Sequence, residues 1–401
     1  MYNKFSQFGK DWEEGVNFER LRKERLQKTR EAMGRHGLQA MVVFAPANTR
    51  YITGIRWSTF PAPGVVRYTV VPIEGEPVHF ELGGDYGRVK ENTTWMQGRI
   101  KVAVPIADLA AASDAAKKKA LDEWASGIKK VLKENGAANG KIGFDLLNLS
   151  MIEPLENANI KYVDGTMAML EARMIKTQDE LQLLRIASRI ADAGFYTMEQ
   201  MIKPGVRETE IWAEMTKTMM VLGAESVTGI FTSGGRTNPY YRLEGSDRIL
   251  GPGDLVISDI CAVYMGYYTC VVRTFVVGNK PTSEQKALYR ECYDYLCKAV
   301  EACKAGVGTD KVAEALPGGS FEDYSLQIAH GLGLGLHELP RIIRVWSMDN
   351  PIKLKPNMYL AMETYAGKPG GSQGVRLEEN YVITENGYEM FSRYPFDEKM
   401  L

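Results

Sequence analysis

The spacing of apolar residues changes several times along this chain of 401 residues. From Phe18 to His36 they recur at helical spacing among Arg, Lys and Glu, and Gly37 supplies a stop, which predicts an amphipathic helix. The unbroken apolar run Ala40 to Ala45 predicts a short buried strand, followed by Asn48-Thr-Arg-Tyr-Ile-Thr-Gly54. Strand signals return at Val65 to Pro72, Val78 to Leu82 and Lys141 to Asp145. Between them a lysine-rich helix is expected over Ala110 to Glu134, and a short one over Met151 to Asn157. This alternation describes an α/β domain over residues 1–172.

Thr177 then opens a long helix, with Glu180 three residues on as its capping-box partner and Leu181, Leu183, Leu184, Ile186, Ala187 and Ile190 forming the core face. A second helix is expected from Glu208 to Leu222, and a third from Ser283 to Ala305. Strands are expected at Gly229 to Thr232, Leu255 to Ile260, Tyr267 to Val277, Tyr359 to Glu363 and Asn380 to Thr384. Helices on a mostly antiparallel sheet make residues 173–401 an α+β domain.

Composition narrows the function classes. Lys and Arg number 49 against 50 Asp and Glu, so no basic surplus favours nucleic acid or an anionic membrane. No apolar run reaches the roughly 18 residues that span a bilayer, and the first residues are polar and aromatic rather than a signal segment, so a cytoplasmic location is expected. The five cysteines (Cys261, Cys270, Cys292, Cys297 and Cys303) form no C-x-x-C pair, and their odd number argues against a disulfide framework. Four of them read as small buried hydrophobes; Cys270 stands apart through its neighbours.

Chemistry-bearing residues collect in four segments of the second half. These are Gly253-Asp254-Leu-Val-Ile-Ser-Asp259 with Gly266-Tyr-Tyr-Thr-Cys270-Val-Val-Arg273-Thr274, His330-Gly-Leu-Gly-Leu-Gly-Leu-His337-Glu338-Leu-Pro340, Met362-Glu363-Thr-Tyr, and Gly374-Val-Arg376-Leu-Glu378-Glu379-Asn380. Carboxylates, a thiol and imidazoles at strand ends and glycine turns suit a divalent metal if they converge. Taken singly, each acid also reads as a solvated strand-end carboxylate, and His330 as a structural histidine.

In this order the segments resemble the creatinase/prolidase/methionine-aminopeptidase superfamily, whose catalytic domain has the pita-bread fold. Its five metal-ligand positions fall on Asp259, Cys270, His330, Glu363 and Glu378. The flanking Arg273-Thr274 and His337-Glu338-x-Pro340 match as well, and Asn48 to Gly54 resembles a motif of its N-terminal domain. The resemblance implies a creatinase-type N-terminal domain, a pita-bread catalytic domain and a homodimer.

Three departures shift the expected chemistry. Cys270 replaces an aspartate that bridges two metals in the family's peptidases. Thiolate suits zinc or iron better than manganese, so one divalent ion on Cys270, His330, Glu363 and Glu378 is expected, with Asp259 as a ligand or left as a base; a metal-free site, as in creatinase, stays open. Tyr240 stands where relatives often place a substrate-contacting histidine. Glu363-Thr364-Tyr365 replaces the usual Glu-Pro-Gly. These features are nearer the family's non-peptidase members, such as dimethylsulfoniopropionate lyase and ectoine hydrolase. The expected function is hydrolysis or lysis of a C–N or C–S bond in a small, zwitterionic substrate. His337 is the leading acid or base, Asp259 and Tyr240 assist, Arg376 or Arg236 pairs with a carboxylate, and Trp57 (with Phe60) covers a cationic group. A metal-dependent Xaa-Pro peptidase and a non-catalytic binding protein are the alternatives.

Overall fold

Helix α1 (Phe18–Arg35) buries Leu21, Ala32 and Met33 and packs against strand β1 (Leu38–Val43). The computed structural model describes residues 15–56, 67–106, 113–278, 280–316 and 327–401. Helix α2 (Pro46–Thr53) carries the Asn48 to Gly54 motif and ends on Gly54 at φ 73°, the left-handed geometry that favours glycine. The motif fixes the helix internally. Asn48 donates to Asp145 Oδ2 at 2.7 Å and accepts from Arg173, while the Tyr51 hydroxyl donates to the Ala172 carbonyl at 2.9 Å.

Strands β2 (Tyr68–Pro72), β3 (Val78–Glu81), β4 (Ile100–Val102), β5 (Lys141–Phe144) and β6 (Lys161–Asp164) join β1 in a six-stranded mixed sheet of order β4-β3-β2-β1-β5-β6. Helix α3 (Gly83–Asn92) and strands β4 and β6 are additions to the sequence expectation. Helix α4 (Asp114–Glu134), capped by Ser113, packs Trp124 against the contacting rings of Phe44 and Tyr68. Helices α5 (Ile152–Asn157) and α6 (Thr166–Met174) follow.

The chain divides into two units, Phe18–Arg173 and Met174–Leu401, the second also taking in Asn17, whose N–H donates to Asp179. Helix α7 (Gln178–Met201) starts at the expected capping box: Glu180 N–H donates to Thr177 at 3.3 Å, and Thr177 N–H to the Glu180 carboxylate at 2.8 Å. Helix α8 (Glu208–Val221) packs on α7.

The strands of this unit are β7 (Ser226–Ser233), β8 (Leu255–Tyr264), β9 (Tyr267–Tyr268), β10 (Val271–Val276), β11 (Ala329–Gly331), β12 (Glu338–Ile342), β13 (Tyr359–Gly367), β14 (Gly374–Thr384) and β15 (Gly387–Met390). They form an antiparallel sheet of order β12-β11-β13-β14-β10-β8-β7, with β15 on β14 and β9 on β8. Helix α9 (Ser283–Ala302) covers β13 and β14, and Leu288, Tyr289, Leu296, Leu360 and Leu377 share its core. The molecule is α+β as expected, and none of its described helices is long and apolar enough to cross a membrane.

Candidate active site

Sheet register places the chemistry. Residues directly opposite one another on antiparallel strands point to the same face. Asp259 on β8 faces Val272 on β10, Val272 faces Glu378 on β14, and Glu378 faces Glu363 on β13. Ala361, two residues before Glu363, faces His330 on β11. One face therefore collects Asp259, Glu378, Arg376, Glu363 and His330 from four strands, and Cys270 from the link just before β10.

These groups form the floor of a cavity of about 340 Å³, with Glu378 fully buried beneath its lining. The Arg376 guanidinium lies among the carboxylates. It donates to Asp259 and Glu363, and Glu378 Oε2 is 3.4 Å away. His330 Nε2 is 4.0 Å from Glu363 and 3.9 Å from Glu378, and its Nδ1 lies 3.1 Å from the Gly331 carbonyl. Cys270 Sγ donates to Asp259 Oδ1 at 3.3 Å. Asn380 fixes the Cys270 backbone, accepting from its N–H at 3.1 Å and donating to its carbonyl at 2.5 Å.

Electrostatics follow from burial. Desolvation, with repulsion from Glu363 and Asp259, pushes Glu378 well above the usual carboxylate range. Burial also opposes ionisation of Glu363, but Arg376 and His330 outweigh it and hold Glu363 low. Burial lowers His330. Cys270 is pushed well up by its bond from Cys261 and by burial beside Asp259.

His337 stands at the cavity mouth, its ring centroid 4.5 Å from that of His330. Desolvation and repulsion from His330 and Arg341 take it down to about 4, so near neutral pH it is an uncharged acceptor, not the near-neutral titrating group expected from sequence. The turn before it is held by Glu338, which pairs with buried Lys176 at 2.7 Å and accepts from Gly335 N–H at 2.8 Å. A Cβ on Gly333 would sit 2.6 Å from that carboxylate, so any larger residue there would have to displace Glu338. The Tyr240 hydroxyl accepts from Arg376 at 3.0 Å, and burial raises its pKa well above the ordinary value, so the phenol stays protonated.

Of the residues singled out from sequence, Asp259, Tyr240, Cys270, His330, His337, Glu363 and Arg376 line this cavity. Arg236 does not: its guanidinium donates to Ser246 at 2.7 Å. Trp57 and Phe60 lie outside the described residues. The cavity also presents Arg242, Arg341 and Cys261, and Asn380 supports it from β14; sequence reasoning passed over all four. Cys261 carried a signal, because alternation from Asp259 puts it on the same face.

The donor set fits a divalent cation. Three carboxylates face one guanidinium, and Glu363 Oε1 and both Glu378 oxygens are buried without a hydrogen-bond partner. Two groups of donor atoms, Asp259-Cys261-Cys270 and Cys270-His330-Glu378, each lie within 4.8 Å of one another.

Comparison with known proteins gives the family and the fold. Residues 182–385 match metallopeptidase family M24, and residues 25–175 match the creatinase/prolidase N-terminal domain. The Xaa-Pro dipeptidase of Pyrococcus furiosus is 31% identical over 385 residues, covering 92% of this chain and 98% of that protein. A dimethylsulfoniopropionate lyase of Roseovarius nubinhibens is 26% identical over 299 residues, covering 70% of this chain and 66% of the lyase. The solved structure of an Xaa-Pro dipeptidase from Bacillus anthracis shares the fold, with a TM-score of 0.75 at 23% identity over 94% of this chain and 99% of that one.

Proposed function

Because the chain belongs to metallopeptidase family M24 and carries the creatinase/prolidase N-terminal domain, as its motifs implied, we propose that it is an enzyme that cleaves a C–N or C–S bond in a small, carboxylate-bearing substrate, using one divalent ion. The observation that carries this reading is a thiol, Cys270, on a floor of Asp259, His330, Glu363 and Glu378, where the family's peptidases use a bridging carboxylate. Asp259, Cys270, His330, Glu363 and Glu378 would hold the ion. Thiolate and imidazole donors favour zinc or iron over manganese. Once bound, the ion acts as a Lewis acid toward a substrate oxygen or a water.

The remaining side chains divide the work. His337, uncharged near neutral pH, accepts a proton: from water in a hydrolysis, from carbon in an elimination. Tyr240 keeps its proton and can donate it as a hydrogen bond to a developing negative charge. Arg242 and Arg341 line the cavity, and Arg341 spends two of its N–H groups on Gln327. They replace Arg376 and Arg236 as partners for a substrate carboxylate, since Arg376 is already committed to the floor and Arg236 points elsewhere.

A second reading, an Xaa-Pro dipeptidase, is favoured by the 31% identity to the Pyrococcus enzyme across 98% of its length. Metal analysis of protein purified without added metal, followed by a substrate panel, separates the two. About one zinc or iron per chain, with turnover of small C–N or C–S substrates and none of Xaa-Pro dipeptides, is expected. About two ions per chain and robust dipeptide turnover with manganese would replace this proposal by the second reading. Absence of both ion and turnover would leave a binding protein.

A further inference from the structure

We propose that Cys261 is a second sulfur ligand beside Cys270, which makes the centre a two-thiolate site that takes zinc in preference to manganese. The inference rests on the reading that the cavity floor holds a divalent ion.

Register brings the two sulfurs together. The pairs Val271–Ile260 and Val272–Asp259 on one side, and Val263–Tyr268 on the other, keep one continuous antiparallel alignment of β8 with the β9–β10 segment. That alignment sets Cys270 opposite Cys261, on the face that carries Asp259. The sulfurs are 3.2 Å apart, Cys270 Sγ is 3.3 Å from Asp259 Oδ1, and both cysteines line the cavity while remaining only 2% and 5% exposed. A free cysteine is often a small buried hydrophobe. Cys292 and Cys303 fit that description, since both belong to the apolar core under α9. Cys261 does not. Its neighbours are a second thiol and a carboxylate, and it closes a donor group with them within 4.8 Å.

The distances suit a shared ion. Two sulfurs each about 2.3 Å from one zinc stand about 3.8 Å apart at a tetrahedral angle, so the pair opens by only about half an ångström to accommodate it. Unpartnered carboxylate oxygens on Glu363 and Glu378 supply a second sign that the floor is built for a cation. Two soft donors then discriminate among cations, since thiolate favours zinc and carboxylate suits manganese.

Cobalt(II) substitution under reducing conditions tests the assignment without relying on activity. In the wild type, cobalt should give a near-ultraviolet sulfur-to-metal charge-transfer band. In Cys261→Ser the band should fall to about half per bound ion, with zinc affinity down about tenfold or more and manganese affinity little changed. Cys261→Asp should bind the same number of ions, show the same half-intensity band and shift its preference toward manganese; this second variant guards against a folding defect in the first. An unchanged band per cobalt in both variants would overturn the role of Cys261 while leaving the metal reading intact. Failure of the reduced wild type to bind cobalt or zinc would overturn the metal reading itself, and this inference with it.

Discussion

Arg376 brings one guanidinium to three buried carboxylates, and this imbalance shapes the residue-scale energetics. Its nitrogens reach Asp259, Glu363 and Glu378, and Tyr240 stacks 5.1 Å below. Removing one member of a buried ionic cluster costs roughly 3–5 kcal/mol, because the charges left behind stay desolvated. Arg376→Met, similar in length, is expected to lower the unfolding free energy of metal-free protein by about that amount in a urea titration. Zinc should then restore more stability to the variant than it adds to the wild type. Equal zinc increments in both would show that guanidinium and ion do not share these carboxylates. Most of this floor could be read from sequence, because Asp259, Cys270, His330, Glu363 and Glu378 each sit in a short motif with its own glycine or strand context. Cys261 and Asn380 were harder to see, since their meaning depends on which residue the register sets opposite them. That Arg242 rather than Arg236 lines the cavity was hidden for a related reason: the two share one irregular segment, where spacing says nothing about direction.

At the scale of elements, the strands were recognised by their apolar halves and cut short where the site begins. The segment expected at Asn380 to Thr384 starts at Gly374, and the one expected at Tyr359 to Glu363 runs to Gly367. The omitted parts carry Arg376, Glu378 and Glu379, all buried, whose polarity hides the strand period from any hydrophobic pattern. Strands β11 and β12 were missed outright because they flank a glycine-rich turn. That turn depends on one ion pair: Lys176 and Glu338 are 1% and 0% exposed, and Glu338 also holds Gly335. Lys176→Met should therefore destabilise the second unit by roughly 3–5 kcal/mol in urea, whereas Lys176→Met combined with Glu338→Gln should recover part of that loss. A double variant as unstable as the single one would show that Glu338 matters for its backbone contacts rather than for its charge. In either variant the turn that carries His337 is held less firmly, so activity should fall with kcat rather than KM.

For the molecule as a whole, the two units differ in how their buried charge is matched, and each should report it separately. The second unit carries surplus negative charge, so an ion that binds only its folded form at a hundred times its dissociation constant adds about 2.7 kcal/mol. Dialysis against a chelator, followed by hydrogen exchange of the β8, β10, β13 and β14 amides, should remove that protection; unchanged exchange would mean that no ion stabilises the fold. The first unit is balanced internally. Arg67 donates to both Glu81 and Asp85, and His79 lies 3.3 Å from Glu81. Burial works against the Glu81 carboxylate, but the His79 and Arg67 bonds together outweigh it and hold its pKa below 4.5. A carboxylate lowered on folding adds stability that is present above its unfolded pKa and is lost as pH falls through the folded value. Protection of the β1–β3 amides should therefore decline as the pH drops below about 4.5. In Arg67→Met the Arg67 share of that support is gone while His79 remains, so Glu81 titrates higher and the acid-side decline should flatten. An identical acid slope in wild type and variant would place the linkage on other carboxylates of this unit and leave Arg67–Glu81 as a packing pair.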